Sequence, residues 1–163
     1  MKDFFVKFFA SCGFVGNIPF ASGTFGTMVG VLMVYVTGYF VDVSTVDGKI
    51  VYAVITIALI AFSIPISTAG EIVYRKKDSS KIVIDEAVSF FVTMMWLPLY
   101  PKLVILGFLL NRVLDIVKIP PASTCQRKLP AGYGVVLDDI VSGVQSHIVL
   151  RVIIFLTGYS YFT

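Results

Sequence analysis

The chain alternates long apolar runs with short polar connections, and several runs have the length that crosses a bilayer. A helix rises about 1.5 Å per residue and a hydrocarbon core is about 30 Å thick, so a span takes about 20 mostly apolar residues. Residues 50–69 meet that requirement without a charge. Residues 27–41 form a shorter run, which Phe25 and the glycines before it can extend. A third run, 82–97, carries Asp85 and Glu86 and is stopped by Pro98 and Pro101, and a fourth, 103–117, carries Arg112 and Asp115. The last, 135–161, holds Asp138, Asp139, His147 and Arg151, and its pattern fits one helix or two. The expected fold is all-α: a polytopic integral-membrane helical bundle of four to five membrane-embedded helices, one domain over 1–163, with a polar site at its cytoplasmic face.

The first residues read differently. Lys2, Asp3 and Lys7 interleave with phenylalanines, and the apolar stretch that follows is broken by Gly13, Gly16, Asn17 and Pro19. A signal peptide needs an unbroken apolar core before a small-residue cleavage site, so this segment is expected to be an interfacial helix of the mature protein.

Composition narrows the class further. Hydrophobic residues make up 57% of the 163, charged residues only 14%, and the mean hydropathy is +0.90. Soluble domains carry about 25% charged residues, so a water-facing surface cannot be built from this supply, and disorder requires the opposite balance. A net charge of +3 is too small and scattered for a nucleic-acid platform. The partner expected from composition is therefore the membrane, with no nucleic acid.

Orientation follows from the basic loops, because short segments rich in Lys and Arg stay in the cytoplasm. Arg75, Lys76, Lys77 and Lys81 follow the second run, and Lys118, Arg127 and Lys128 follow the fourth; the opposite connections, 42–49 and 98–102, hold one Lys each. Asp85 and Glu86 then lie beside the first basic loop, with Arg112, Asp115, Asp138 and Asp139 beside the second. All are expected at one membrane face, where embedded charges are costly unless they pair or bind ions.

The two adjacent pairs, Asp85-Glu86 and Asp138-Asp139, are the first candidates for chemistry. Neighbouring side chains on a helix diverge by about 100°, so one member of each pair can face inward while the other reaches a neighbouring helix or loop. Like charges this close repel unless a cation lies between them, and oxygen-only ligands suit Mg²⁺, Mn²⁺ or Ca²⁺. Helix capping is the alternative, since acids also favour helix N-termini. Asn111, Asp115 and Lys118 share a helical face, and Arg112 pairs with Asp115 at i, i+3, a set that can hold a phosphate or simply snorkel toward headgroups. The run from Gly16 to Thr27 is dense in glycine and leads into a helix N-terminus, an anion-binding end, to which Ser22, Thr24 and Thr27 add hydroxyls; a cap and tight turn would use the same residues.

Other chemistries are excluded by spacing. A cysteine phosphatase needs an Arg six positions after its Cys, where Ile18 and Ala131 stand; Cys12 and Cys125 are expected to be inert. There is no Walker A run and no alternating Asp-x-Asp, and a single histidine, His147, is expected to be a satisfied helix-interface residue.

Four segments together resemble the phosphatidylglycerophosphatase A family: Pro19-Phe20-Ala21-Ser22-Gly23-Thr24-Phe25-Gly26-Thr27, Ile82-Val83-Ile84-Asp85-Glu86-Ala87-Val88, Arg112-Val113-Leu114-Asp115-Ile116-Val117-Lys118 and Gly132-Tyr133-Gly134-Val135-Val136-Leu137-Asp138-Asp139. The resemblance implies a Mg²⁺-dependent phosphomonoesterase of the bacterial cytoplasmic (inner) membrane that converts phosphatidylglycerophosphate to phosphatidylglycerol and phosphate, its active site facing the cytoplasm. It implies catalytic roles for Asp85, Glu86, Asp115, Asp138 and Asp139, metal binding by Asp85, Glu86, Asp138 and Asp139, and substrate binding by Gly23, Thr24, Arg112 and Lys118. Asp78 matches the acid that usually precedes the Asp-Glu motif. Departures fall on Ser22, where the family usually has Pro, Ser89 and Ala131, where it has Gly, and Ile119, where it has Pro. A carboxylate free of metal could act as general base, or an Asp as direct nucleophile. The alternative from another class is a small ion- or proton-coupled transporter, which would spread ionisable residues through the membrane depth, and run 50–69 has none. A CDP-alcohol phosphotransferase would need a DGxxAR run that the chain lacks.

Overall fold

The computed structural model describes residues 1–122 and 131–162. Among them lie six α-helices: α1 (Lys2–Ala10), α2 (Ser22–Phe40), α3 (Val46–Tyr74), α4 (Ile84–Thr93), α5 (Pro101–Val117) and α6 (Ala131–Thr157). Single 3₁₀ turns, Val15–Asn17 and Tyr159–Tyr161, precede α2 and follow α6. Cys125, Arg127 and Lys128 fall outside the described residues.

Three helices, α2, α3 and α6, are long and apolar enough to cross a membrane. The sequence pattern suggests four or five membrane-embedded helices; of the described helices three have the length and apolarity of a span, and α4 and α5 do not reach it. At 10 residues, α4 extends only about 15 Å, and the 17 residues of α5 extend about 25 Å. Pro98 and Pro101 interrupt the apolar sequence between them, and Pro101 opens α5 at its first turn, where the missing N–H costs nothing. The ambiguous last run is one 27-residue helix.

The short α4 is the inner element. Every residue in it except Glu86 is buried, and it packs on α2, α3, α5 and α6. The outer faces of the long helices carry exposed Leu32, Val36, Val54, Ile57, Val152 and Phe155, the distribution expected where the surroundings are lipid. Small residues draw the helices together, as they do in membrane bundles. A Cβ on Gly30 of α2 would stand 2.5 Å from the Ala87 carbonyl of α4, and one on Gly132 of α6 would stand 2.5 Å from the Thr68 amide of α3. Phe90, Phe91, Met94, Leu103 and Leu150 fill the core beneath.

α1 lies against α3, with Phe9 and Phe62 edge to face at 5.5 Å, and leaves Phe4, Phe5 and Phe8 exposed beside Lys2 and Lys7. The chain then enters α4 through the bond from the Val83 amide to the Ala10 carbonyl, 2.8 Å. This anchors the first turn of α4, the turn that carries Asp85 and Glu86.

Candidate active site

The N-termini of α2, α4 and α6 meet the C-terminus of α5 at one end of the bundle, around a cavity of about 240 Å³. Asp78, Asp85, Glu86, Asp115, Lys118, Asp138 and Asp139 line it. Asp85, Asp138 and Asp139 are almost wholly enclosed, at 3%, 1% and 5% exposure, so their charges can be compensated only by neighbours or a bound ion.

Among the described residues, two cations of the site are committed to two of the carboxylates. Arg112 pairs with Asp115 at 2.9 Å, and its guanidinium also reaches the Thr27 hydroxyl at 3.4 Å. Lys118 ends α5 in the left-handed conformation, φ 48°, and its ammonium pairs with Asp138. Burial works against the charge on Lys118, but the Asp138 carboxylate outweighs it and raises the Lys118 pKa.

Of the other acids, the three on helices α4 and α6, Asp85, Glu86 and Asp139, take part in neither ion pair. One carboxylate oxygen from each lies within 4.8 Å of the others. Among the described residues, Glu86 Oε2 is buried with no hydrogen-bond partner, as is Asp138 Oδ1. Three close carboxylates with an unmet acceptor and, among the described residues, no paired cation form a donor set that fits a hard divalent cation. The sequence had put Asp138 in that set as well; in the fold the rotation of α6 sends Asp139 to the cluster and Asp138 to Lys118.

Gly23 and Thr24 sit in the first turn of α2. A Cβ on Gly23 would collide with the Glu86 carboxylate and lie 2.9 Å from the Arg112 guanidinium, so only glycine lets the turn approach both groups. Ser22 donates to the Ser80 carbonyl at 2.6 Å, which ties this turn to the 78–81 loop where proline could not. Thr27, counted from sequence as an anion donor, instead donates to the Gly23 carbonyl at 3.0 Å.

Asn111 was grouped from sequence with the phosphate-binding face, yet it points into the bundle. Its amide donates to Ser89 Oγ and Thr93 Oγ1, both at 2.9 Å, and Ser89 Oγ donates to the Asp139 carbonyl at 2.7 Å. Polar residues at i and i+4 within an apolar helix, Ser89 and Thr93, were the signal for this tie. His147 Nδ1 donates to the Thr93 carbonyl at 3.1 Å and Nε2 accepts from the Arg151 guanidinium at 3.3 Å, an interface residue as expected. Cys12 lies beside the Val83 carbonyl, and burial, with a smaller effect from the charge of Glu86, pushes its thiol up to about 12.

The family model for phosphatidylglycerophosphatase A matches residues 8–154, a stretch that takes in every residue of this cavity. The chain belongs to the phosphatidylglycerophosphatase A family. Over 70 residues it is 39% identical to phosphatidylglycerophosphatase A of Escherichia coli strain K12, which is 42% of this chain and 41% of that relative. Over 79 residues it is 34% identical to a candidate phosphatidylinositol-3-phosphatase of Bacteroides thetaiotaomicron, 47% of this chain and 49% of that one. The chain thus spans about half the length of the curated relatives it matches or less. No solved structure matches it.

Proposed function

We propose that the chain is a single-domain phosphatidylglycerophosphatase of the bacterial cytoplasmic membrane, which hydrolyses phosphatidylglycerophosphate to phosphatidylglycerol and phosphate with Mg²⁺ at its cytoplasmic face. The observation that carries this reading is the cluster of Asp85, Glu86 and Asp139 within 4.8 Å, flanked by Arg112 and Lys118 at one end of a bundle with three candidate spans. Family membership supplies the substrate class, a lipid phosphate. The basic loop of Arg75, Lys76, Lys77 and Lys81 supports the cytoplasmic assignment.

Asp85, Glu86 and Asp139 would hold the metal. When bound, the cation neutralises phosphate charge and makes water a better nucleophile. The substrate's acyl chains stay in the bilayer while its terminal phosphate enters the cavity, where Arg112, Lys118 and the Gly23-Thr24 turn orient it. Asp115 keeps Arg112 in place. Asp138, with one oxygen on Lys118 and the other without a partner among the described residues, would be the acceptor for the proton of the attacking water.

The test is phosphate release by the purified full chain from phosphatidylglycerophosphate, phosphatidate and lysophosphatidate, with Mg²⁺ and with EDTA. The reading expects Mg²⁺-dependent release, fastest from phosphatidylglycerophosphate. Undiminished release in EDTA overturns the metal's role, and equal rates on all three lipids overturn the substrate.

A further inference from the structure

The opposite end of the bundle holds a larger cavity, about 570 Å³, between the end of α2, the 41–49 connection, the 96–99 segment and the last turns of α6. It shares no residue with the carboxylate site.

One wall is built around Trp96, which adopts φ 56°, a left-handed conformation that bulky residues rarely occupy and that proteins retain mostly at functional positions. The Trp96 indole N–H donates to the Lys49 carbonyl at 3.0 Å, and its own carbonyl accepts from the Arg151 guanidinium at 3.4 Å. Arg151 also donates to His147 Nε2 at 3.3 Å and to the Tyr159 hydroxyl at 3.4 Å. All three partners are neutral. Among the described residues Arg151 makes no ion pair, so a half-buried cation is aimed and held without a counter-charge.

Lys49 lines the same cavity, as does one acid, Asp42, which accepts from the Ser44 amide at 2.9 Å. Two cations against one carboxylate leave the lining net positive. The rest of the lining is mostly apolar, and beside it Tyr39, Phe40 and Phe155 are exposed at 84%, 78% and 87%. Aromatic side chains next to cations at the end of a span are the setting of a lipid headgroup.

We propose that this cavity binds the headgroup phosphate of an anionic phospholipid from the leaflet opposite the carboxylate site, with Arg151 and Lys49 receiving the phosphate and the acyl chains lying along the apolar faces of α2 and α6. A free phosphate would use the cations but leave the adjoining apolar surface without a role. The proposal needs the bundle to lie in a membrane, and it does not rest on the phosphatase reading.

Native mass spectrometry of the full chain in neutral detergent tests it, with phosphatidylglycerol and phosphatidylcholine of identical acyl chains as probes. The wild-type chain is expected to retain one more phosphatidylglycerol than phosphatidylcholine, and Arg151→Gln is expected to weaken that retention about tenfold, the effect of losing a charge-assisted contact. Lys49→Gln, at an exposed position where only the backbone carbonyl serves Trp96, is expected to weaken it severalfold while phosphate release stays at the wild-type rate. Equal retention of both lipids, or full retention by Lys49→Gln and by a folded Arg151→Gln, overturns the proposal. Displacement of the lipid by millimolar inorganic phosphate also overturns it, since a soluble anion would then be the ligand.

Discussion

Ser89 and Asp139 join the inner helix to the last long one: the Ser89 hydroxyl donates to the Asp139 backbone carbonyl at 2.7 Å while accepting from Asn111 at 2.9 Å. Ser89 stands where the resembling family has Gly, and the hydroxyl makes the close approach of α4 and α6 a hydrogen-bonded one. Ser89→Ala is expected to cost about 1–2 kcal/mol, the usual loss for a buried hydrogen bond left unmade, and to weaken Mg²⁺ binding by letting Asp139 shift. Thermal unfolding in detergent and a Mg²⁺ titration of activity measure the two effects; unchanged values in both would remove Ser89 from any positioning role.

Gly143 faces the same contact. A Cβ there would stand 2.7 Å from the Ser89 carbonyl and 3.0 Å from its hydroxyl, and the carbonyl belongs to a helix backbone that cannot move alone. Gly143→Ala is expected to lower the unfolding temperature more than Ser89→Ala does, by the 1–3 kcal/mol typical of overpacking. A melt equal to wild type would mean that α6 can slide without cost.

Gly23→Ala probes the site instead of the scaffold. The new methyl meets the ends of two side chains, Glu86 and Arg112, which can swing aside, so folding is expected to survive. Displacing them is expected to cut phosphate release about ten- to a hundredfold, as misplacement of catalytic groups does. Wild-type turnover in a folded Gly23→Ala chain would separate the α2 turn from the chemistry.

The metal reading has a readout apart from activity. Mg²⁺ that binds the folded chain and not the unfolded one stabilises it, by about 2.7 kcal/mol at a hundred times its dissociation constant. Wild-type protein is expected to melt higher in Mg²⁺ than in EDTA, whereas Asp85→Asn and Asp139→Asn should lose that difference and, on the order of a hundredfold or more, their activity. If both variants keep the Mg²⁺ shift, the ion binds elsewhere.

Cys12 is expected to resist alkylation. With burial raising its pKa to about 12, almost no thiolate exists at pH 8, and the thiolate is the nucleophile. In a Cys125→Ser background, maleimide labelling followed by mass spectrometry should show no adduct until the chain is denatured. Rapid labelling of the folded protein would show that the turn after α1 opens.

The sequence by itself determined the membrane class, the all-α fold, the position of the longest span and the four motifs that carry the family's charged residues. Those follow from composition and local order. Hydropathy does not separate a helix facing lipid from one sheathed by protein, so the short, enclosed α4 was indistinguishable from a span until its neighbours were placed. That Asp139 meets Asp85 and Glu86 while Asp138 meets Lys118 depends on how far α6 is rotated about its own axis, and Ser89 and Gly143 lie at that helix contact. Asn111 likewise shares a helical face with Asp115 and Lys118, but only tertiary packing turns it to Ser89 and Thr93. The cavity around Arg151 joins residues from Gly38 near the start of the chain to Tyr159 near its end, and no local pattern encodes their meeting.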